Sequence, residues 1–132
     1  MKIIRAALPS DLEKIHKFRD KAIREIKANN IDEDLVFKIR LILDELIANS
    51  YKHGNNCDCN KKIETLIVID KKSCLIKVKD EGHGIDYFVD KTPYKDHGRG
   101  IKLVYTLADD LIIKNNSITA LLLRDSKTKF YL

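Results

Sequence analysis

The stretch LDELIANSYKHG, residues 43–54, decides the fold of this chain. Its apolar residues belong to a stripe at helical spacing that starts further upstream. The stripe comprises Val36, Ile39, Leu43, Leu46, Ile47 and the small Ser50. Glu45 and Asn49 lie one turn apart on another face of the same helix. The stretch therefore predicts an amphipathic helix that directs a carboxylate and an amide oxygen into one cleft.

Glu45 and Asn49 allow two readings. A glutamate in a cleft can accept a proton, and an asparagine oxygen can hold a hard cation such as Mg²⁺. Alternatively, both residues are ordinary solvated positions on an amphipathic helix. The helix alone does not decide between these readings, so the rest of the chain has to.

Two glycine clusters follow this helix along the chain. In Asp80-Glu81-Gly82-His83-Gly84, an aspartate at the predicted end of a strand precedes two alternating glycines. The glycines let a flat ligand approach the backbone, and the Asp80 carboxylate suits the exocyclic amine of adenine. In Gly98-Arg99-Gly100, glycines immediately precede a predicted helix whose free backbone amides can bind phosphate. Each cluster alone is typical of turns, whereas their order points to a nucleotide site.

Composition limits the other possibilities. The chain has 132 residues, of which 44% are hydrophobic and 34% charged, and this predicts one globular domain spanning 1–132. The formal charge of +5 arises from 25 basic and 20 acidic residues without a basic block, so direct nucleic-acid binding is disfavoured. Neither a signal peptide nor a membrane-spanning stretch is apparent, and we expect a cytoplasmic protein without membrane contact.

The three cysteines, Cys57, Cys59 and Cys74, are expected to be reduced thiols. Cys57 and Cys59 near His53 raise the alternative of a zinc site. Their spacing differs from that of the usual structural zinc sites, and a second pair of ligands is missing.

The order of predicted elements is strand, helix, helix, strands, helix, strands. We expect an edge strand at 3–8, then a helix capped by Ser10 and Glu13 with a buried stripe of Leu12, Ile15, Phe18, Ala22 and Ile26. The second helix opens near Asp32 and stops at Gly54, and a polar loop follows. We then expect strands at 63–69 and 74–78. A helix follows Gly100, with Ile101, Val104, Leu107 and Ala108 buried, and a hairpin at 112–123 completes the chain. This order predicts an α+β fold, with helices layered on one face of a mixed, mostly antiparallel sheet.

With these elements in register, the chain resembles the ATP-binding (Bergerat) fold shared by histidine kinases, type II topoisomerases and chaperone ATPases. Residues 45–54 resemble the N box of that superfamily, residues 80–84 its first glycine box and residues 97–104 its second. The likeness is greatest to single-domain bacterial anti-sigma factors that are also serine/threonine protein kinases. The other members of the superfamily fit less well, because histidine kinases also need a phosphoacceptor helix, and topoisomerases and chaperones need large further domains.

The resemblance implies a role for each box. Asn49 would coordinate Mg²⁺ at the phosphates of ATP, and Glu45 would act as general base on an attacking serine hydroxyl. Asp80 would bind adenine, and Gly82 and Gly84 would shape its pocket. His53 is expected to hold the end of the helix to the following loop.

The second glycine box would form the hinge of a lid over the phosphates. The residues assigned to nucleotide binding there are His97, Gly98, Arg99, Gly100 and Ile101. Lys95, His97 and Arg99 are the basic groups near this box, and the sequence does not show which of them contacts the γ-phosphate.

The resemblance also implies partners. We expect a homodimer that sequesters a sigma factor and phosphorylates a serine of an anti-anti-sigma (STAS-type) protein. Two alternatives stay open: a nucleotide-gated binding module that transfers no phosphate, and a basic nucleic-acid binder whose glycines only make turns.

Overall fold

The computed structural model of this protein describes residues 1–82 and 98–124. Within these ranges the chain forms five strands and three α-helices, in the predicted order. The strands are β1 (Lys2–Pro9), β2 (Lys62–Ile69), β3 (Ser73–Lys79), β4 (Asp110–Lys114) and β5 (Ser117–Leu123). The helices are α1 (Leu12–Lys27), α2 (Glu33–Asn49) and α3 (Gly98–Leu107), and α2 continues into a π-helical turn over Ser50–Gly54.

The five strands form one sheet in the order β1-β2-β3-β5-β4, and every pairing among the described residues is antiparallel. β1 lies at an edge, as predicted. The β2–β3 hairpin turns on Asp70, whose Oδ1 accepts hydrogen bonds from the backbone amides of Lys72 and Ser73, both at 2.8 Å. These two backbone hydrogen bonds lower the pKa of Asp70.

The core lies between one face of this sheet and the helices. Alternate residues of β2 and β3, including Ile63, Ile67 and Ile76, are buried, and α2 contributes Ile39 and Leu43 to the same cluster. α2 contacts α1, α3 and β3, and α1 contacts β1. The period-2 pattern of the strands and the period-3.6 pattern of α2 thus meet in one apolar layer. The predicted α+β architecture, with three helices on one face of an antiparallel sheet, is confirmed.

The start of α1 differs from the prediction. Asp11, not Ser10, is the cap, since its Oδ1 accepts hydrogen bonds from the amides of Glu13 at 2.9 Å and Lys14 at 3.3 Å. Ser10 is buried, and its Oγ donates instead to the carbonyl of Lys61 at 2.8 Å. Leu12 was expected in the core but is 50% exposed, because the first turn of α1 extends beyond the packed surface that begins at Ile15.

The start of α3 also differs in detail. The helix begins at Gly98, so Gly98, Arg99 and Gly100 form its first turn and do not precede it. Ile101 and Val104 are buried, as predicted. Leu107 and Ala108 are only partly buried and pack against the edge of the core.

The described helices include no span that could cross a membrane. All three cysteines are free thiols, with Cys57 and Cys59 exposed and Cys74 buried. Burial raises the pKa of the Cys74 thiol to about 12. Among the described residues, no group of three or more histidine, cysteine or acidic side chains is placed to hold a metal ion, which gives the zinc alternative no support.

Candidate functional site

The helix that carries Glu45 and Asn49 changes its geometry directly after Asn49. Asn49 has α-helical angles, φ −62° and ψ −46°, and the π-helical turn begins at the next residue. The amide of Asn55 donates to the carbonyl of Ser50 at 2.7 Å, five residues back, which is the π-helical pattern. Single π-helical turns occur frequently at functional sites. Here the turn ends the helix at Gly54, as predicted.

Asn49 has an unusual side chain. The residue is 8% exposed, and its Oδ1 is buried without a hydrogen-bond partner in the part of the chain that the structure describes. A buried polar atom without a partner costs about 1–3 kcal/mol. An amide oxygen with free lone pairs is a ligand type that Mg²⁺ accepts. The Asn49 side chain therefore fits the metal-ligand role.

Asp80 directly follows β3, and Asn116 holds both its backbone amide and its backbone carbonyl. Its amide donates to the carbonyl of Asn116 at 3.0 Å, and its own carbonyl accepts from Asn116 Nδ2 at 2.5 Å. The side chain is buried, and its Oδ1 accepts from the amide of Gly82 at 2.8 Å. Oδ2 accepts no hydrogen bond from the described residues and lies against Gly54.

Gly54 lies directly against this carboxylate, and Gly82 lies against the backbone of Gly54. A Cβ atom added at Gly54 would lie 2.1 Å from Asp80 Oδ2, and one added at Gly82 would lie 2.4 Å from the carbonyl oxygen of Gly54. Only glycine fits at these two positions unless Asp80 or the backbone moves. The end of the N box and the first glycine box are thus in direct contact. Sequence reasoning assigned Gly54 only to the helix end and missed this contact.

Asn55 is a second residue that sequence reasoning missed, because it lies in a stretch predicted to be a plain polar loop. It is fully buried, and its Nδ2 donates to Ser10 Oγ at 2.9 Å and to the carbonyl of Lys62 at 3.0 Å. Its Oδ1 accepts from the amide of Glu81 at 2.8 Å. Asn55 therefore ties the end of the N box to the residue after β1, to β2 and to the first glycine box.

Comparison with protein-family models identifies the family of the chain. Residues 8–124 match the model of the histidine kinase-like ATPase domain. The chain belongs to this family. No individual curated protein matches the chain.

Membership of the histidine kinase-like ATPase family implies ATP binding, typically with Mg²⁺. The matched range contains the N box and both glycine boxes. The family is common among anti-sigma factor serine kinases.

Within this ATPase domain, the two adjacent carboxylates of α2 have different surroundings. Asp44 Oδ1 and Oδ2 each lie 3.1 Å from Arg19 Nη1, and Arg19 Nε also contacts Asp20. Glu45 is half-buried and forms no hydrogen bond or ion pair with any described residue. Asp44 is therefore engaged in holding α1 against α2, whereas Glu45 has no such contact among the described residues.

The structure describes part of the second glycine box, from Gly98 onward. α3 packs against α2, and its first turn contains Gly98, Arg99 and Gly100. Ile101 is 1% exposed and belongs to the core, so a nucleotide could meet it only through its backbone. Gly84, Lys95 and His97 lie outside the described residues.

Proposed function

We propose that this ATPase domain is a single-domain anti-sigma factor and serine/threonine protein kinase. The observation that carries the proposal is the buried Oδ1 of Asn49, one turn after the carboxylate of Glu45, since neither group has a partner within residues 1–82 and 98–124. A metal ligand beside a general base is the arrangement that phosphoryl transfer requires. The family match and the resemblance to anti-sigma kinases support the same assignment.

Adenine would be bound beside Asp80, at the end of β3. Asp80 Oδ2 would accept a hydrogen bond from the exocyclic amine, because Oδ1 is already engaged by the amide of Gly82. Gly54 leaves room for the carboxylate, because a Cβ atom there would clash with Oδ2, and Gly82 in turn leaves room for the backbone of Gly54. The base would therefore be recognised by an acceptor whose position is fixed before the nucleotide arrives.

Asn49 would hold the Mg²⁺ ion through its side-chain oxygen, together with phosphate oxygens and waters. The ion would neutralise charge on the phosphates when bound. The first turn of α3 offers backbone amides, and helix N-termini stabilise phosphate charge.

Glu45 would supply the base. As the serine oxygen of the partner forms its bond to the γ-phosphorus, the bond from that phosphorus to the β–γ bridging oxygen breaks, and ADP leaves. The serine proton passes to the Glu45 carboxylate. Glu45 and Asn49 share one face of α2, so they can act on the same γ-phosphate region.

The partners in this proposal are a sigma factor, a STAS-type anti-anti-sigma protein that carries the acceptor serine, and a second copy of the chain. They come from the resemblance and from the prevalence of this domain in anti-sigma kinases. We further propose that the protein acts in the cytoplasm.

A second function, a nucleotide-gated binding module, is favoured by one observation. A general base is usually oriented by a third group, and Glu45 has no such contact among the described residues. In this alternative, nucleotide binding would change the affinity for a partner, and no phosphate would be transferred.

Two measurements test the proposal in sequence. Calorimetry with Mg-ATP and Mg-ADP is expected to give micromolar binding, roughly −7 to −8 kcal/mol. A single-turnover assay then uses γ-labelled ATP and a STAS-type protein from the neighbouring reading frames, and labelled serine is expected. Binding of both ligands without transfer would establish the binding module instead. No heat and no thermal shift at millimolar nucleotide would overturn both functions.

A further inference from the structure

The sheet has a second face, which we call the outer face, that none of the described helices covers. Its residues alternate with the buried core residues along each strand. The strand register aligns them in rows that run across the sheet. One row, which we call the apolar row, pairs Ile3 with Val68, Val68 with Leu75, and Leu75 with Leu121.

The apolar row is not what a solvated sheet face requires. An antiparallel sheet with one wet face usually alternates apolar residues inward and polar residues outward. Here four neighbouring strands each contribute an aliphatic side chain to the outer face at the same level. Ile3 is 52% exposed, and Ile112, two rungs away on β4, is 56% exposed. These two exposed aliphatic side chains flank the half-buried Val68, Leu75 and Leu121, and apolar surface grouped in this way is typical of an interaction site.

The next two rows carry positive charge. Arg5 pairs with Leu66 and Leu66 with Lys77 in one row, and Glu64 pairs with Lys79 in the other. These side chains border a depression of about 520 Å³ on the outer face. Arg5, Lys77 and Lys79 form no ion pair or hydrogen bond through their side chains with any described residue. Among the described residues, three unpaired cations thus lie beside one carboxylate, and the local excess is positive.

We propose that the outer face binds an acidic amphipathic helix of a partner protein. The apolar row would receive the aliphatic side of that helix, and Arg5, Lys77 and Lys79 would pair with carboxylates along its border. A helix is the form of partner that this sheet already packs on its inner face, where α2 lies against β3. The complementary charge selects an acidic helix over a basic one.

Other occupants fit less well. A membrane surface is usually engaged by protruding aromatic or long apolar side chains, and the outer-face positions of the described strands contain no aromatic residue. Val68, Leu75 and Leu121 are half-buried between their neighbours and do not protrude. A second copy of the same face would bring its own cations against Arg5 and Lys77.

This surface is separate from the proposed nucleotide site. Asp80 continues the inward-facing positions of β3 after Val78, whereas Lys77 and Lys79 face outward. The inference therefore does not rest on the proposed kinase function. It would hold equally for a protein that binds nucleotide and transfers no phosphate.

The test is a selection of displayed random peptides against the full chain. Peptides of about 16 residues are long enough for four helical turns. We expect enriched sequences that combine Asp or Glu with aliphatic residues at helical spacing. Synthetic copies should bind at least tenfold more weakly to Lys77→Glu/Lys79→Glu. The control Lys14→Glu/Lys21→Glu removes the same charge from exposed positions of α1 and should bind like the unmodified protein.

A second variant examines the apolar row. Val68→Thr/Leu121→Thr keeps residues that favour strands, and it should also weaken binding at least tenfold while circular dichroism is unchanged. Enriched peptides without acidic residues, or equal binding to all variants, would overturn the proposal. So would binding of anionic phosphatidylglycerol vesicles in place of peptide. A dimer in sedimentation that Val68→Thr/Leu121→Thr abolishes would assign the face to a second copy instead.

Discussion

At the end of β3, which we call the strand-end side of the candidate site, the described polar groups are bound to one another except for Asp80 Oδ2. On the α2 side, Glu45 and the Oδ1 of Asn49 are both left without partners in the described part of the chain. Asn55 uses both donor hydrogens and its oxygen, and Asn116 holds the backbone of Asp80. Glu45 and the Oδ1 of Asn49 have no comparable contact. The two sides belong to one domain and are joined through Gly54.

This difference separates what stabilises the domain from what it is proposed to do. A satisfied buried network rigidifies the fold, so its members should affect stability and binding together. A buried polar atom without a partner lowers stability, and folds keep such atoms mainly where a ligand supplies the partner. Substitutions on the α2 side should therefore change function while the fold persists. Each prediction below tests this contrast.

The largest effect is expected at Glu45. Glu45→Gln should lower the single-turnover rate of serine phosphorylation about a hundredfold to ten-thousandfold, because the amide cannot accept the serine proton. Affinity for Mg-ATP should stay within about twofold, because the change does not touch the adenine side.

Asp44→Asn is the matched control for Glu45→Gln. It neutralises the adjacent carboxylate, which contacts Arg19 and takes no part in the proposed chemistry. The transfer rate should persist, with a stability loss of up to about 1 kcal/mol. If Glu45→Gln transfers phosphate as fast as the unmodified protein, Glu45 is not the base.

The next largest effect is expected at Asn55. Asn55→Ala leaves the amide of Glu81 and the carbonyl of Lys62 without their buried partner, so the free energy of unfolding should fall by about 2–4 kcal/mol. Urea unfolding measures this loss. Asn60→Ala, in the same loop but exposed, should change it by less than about 0.5 kcal/mol. Equal losses in the two variants would mean that the network does not stabilise the domain.

A smaller effect is expected at Gly54. In Gly54→Ala the new Cβ would meet the Asp80 carboxylate, so that carboxylate must move. An overpacked position costs about 1–3 kcal/mol of unfolding free energy, which urea unfolding measures, and the displaced carboxylate should also weaken ATP binding in calorimetry. In an Asp80→Ala background the same change should cost little stability, because the clashing group is gone. An equal cost in both backgrounds would contradict the contact.

The sequence predicted elements better than it predicted contacts. Periodicity located α2, the β2–β3 hairpin and the closing hairpin, because these patterns repeat locally. The position of Asp80 at the end of β3 was also predicted. Asn55 was not, since its partners Ser10 and Glu81 lie 45 and 26 residues away along the chain. Such contacts form only when distant segments meet, and no local pattern encodes them.

The same reason explains the error at the start of α1. Ser10 and Asp11 are both good helix caps, so the sequence around them favours either one. The choice is made by Lys61, which is 51 residues away and takes the hydroxyl of Ser10. The contact between Gly54 and Asp80 was missed for a similar reason. Both residues were recognised in separate boxes, but the distance between the boxes is a property of the folded chain.

The smallest and most diagnostic effect is expected at Asn49. Asn49→Ala removes an oxygen that makes no hydrogen bond within the described residues, so the unfolding free energy without nucleotide should change by less than about 1 kcal/mol and could rise. Calorimetry with and without Mg²⁺ should then show that the variant has lost most of the metal dependence of ATP binding. Asn55→Ala is the contrasting variant. It should lower the free energy of unfolding and retain the metal dependence of ATP binding. If Asn49→Ala unfolds outright, Asn49 is a structural residue, and polar groups on both sides of the site stabilise the fold.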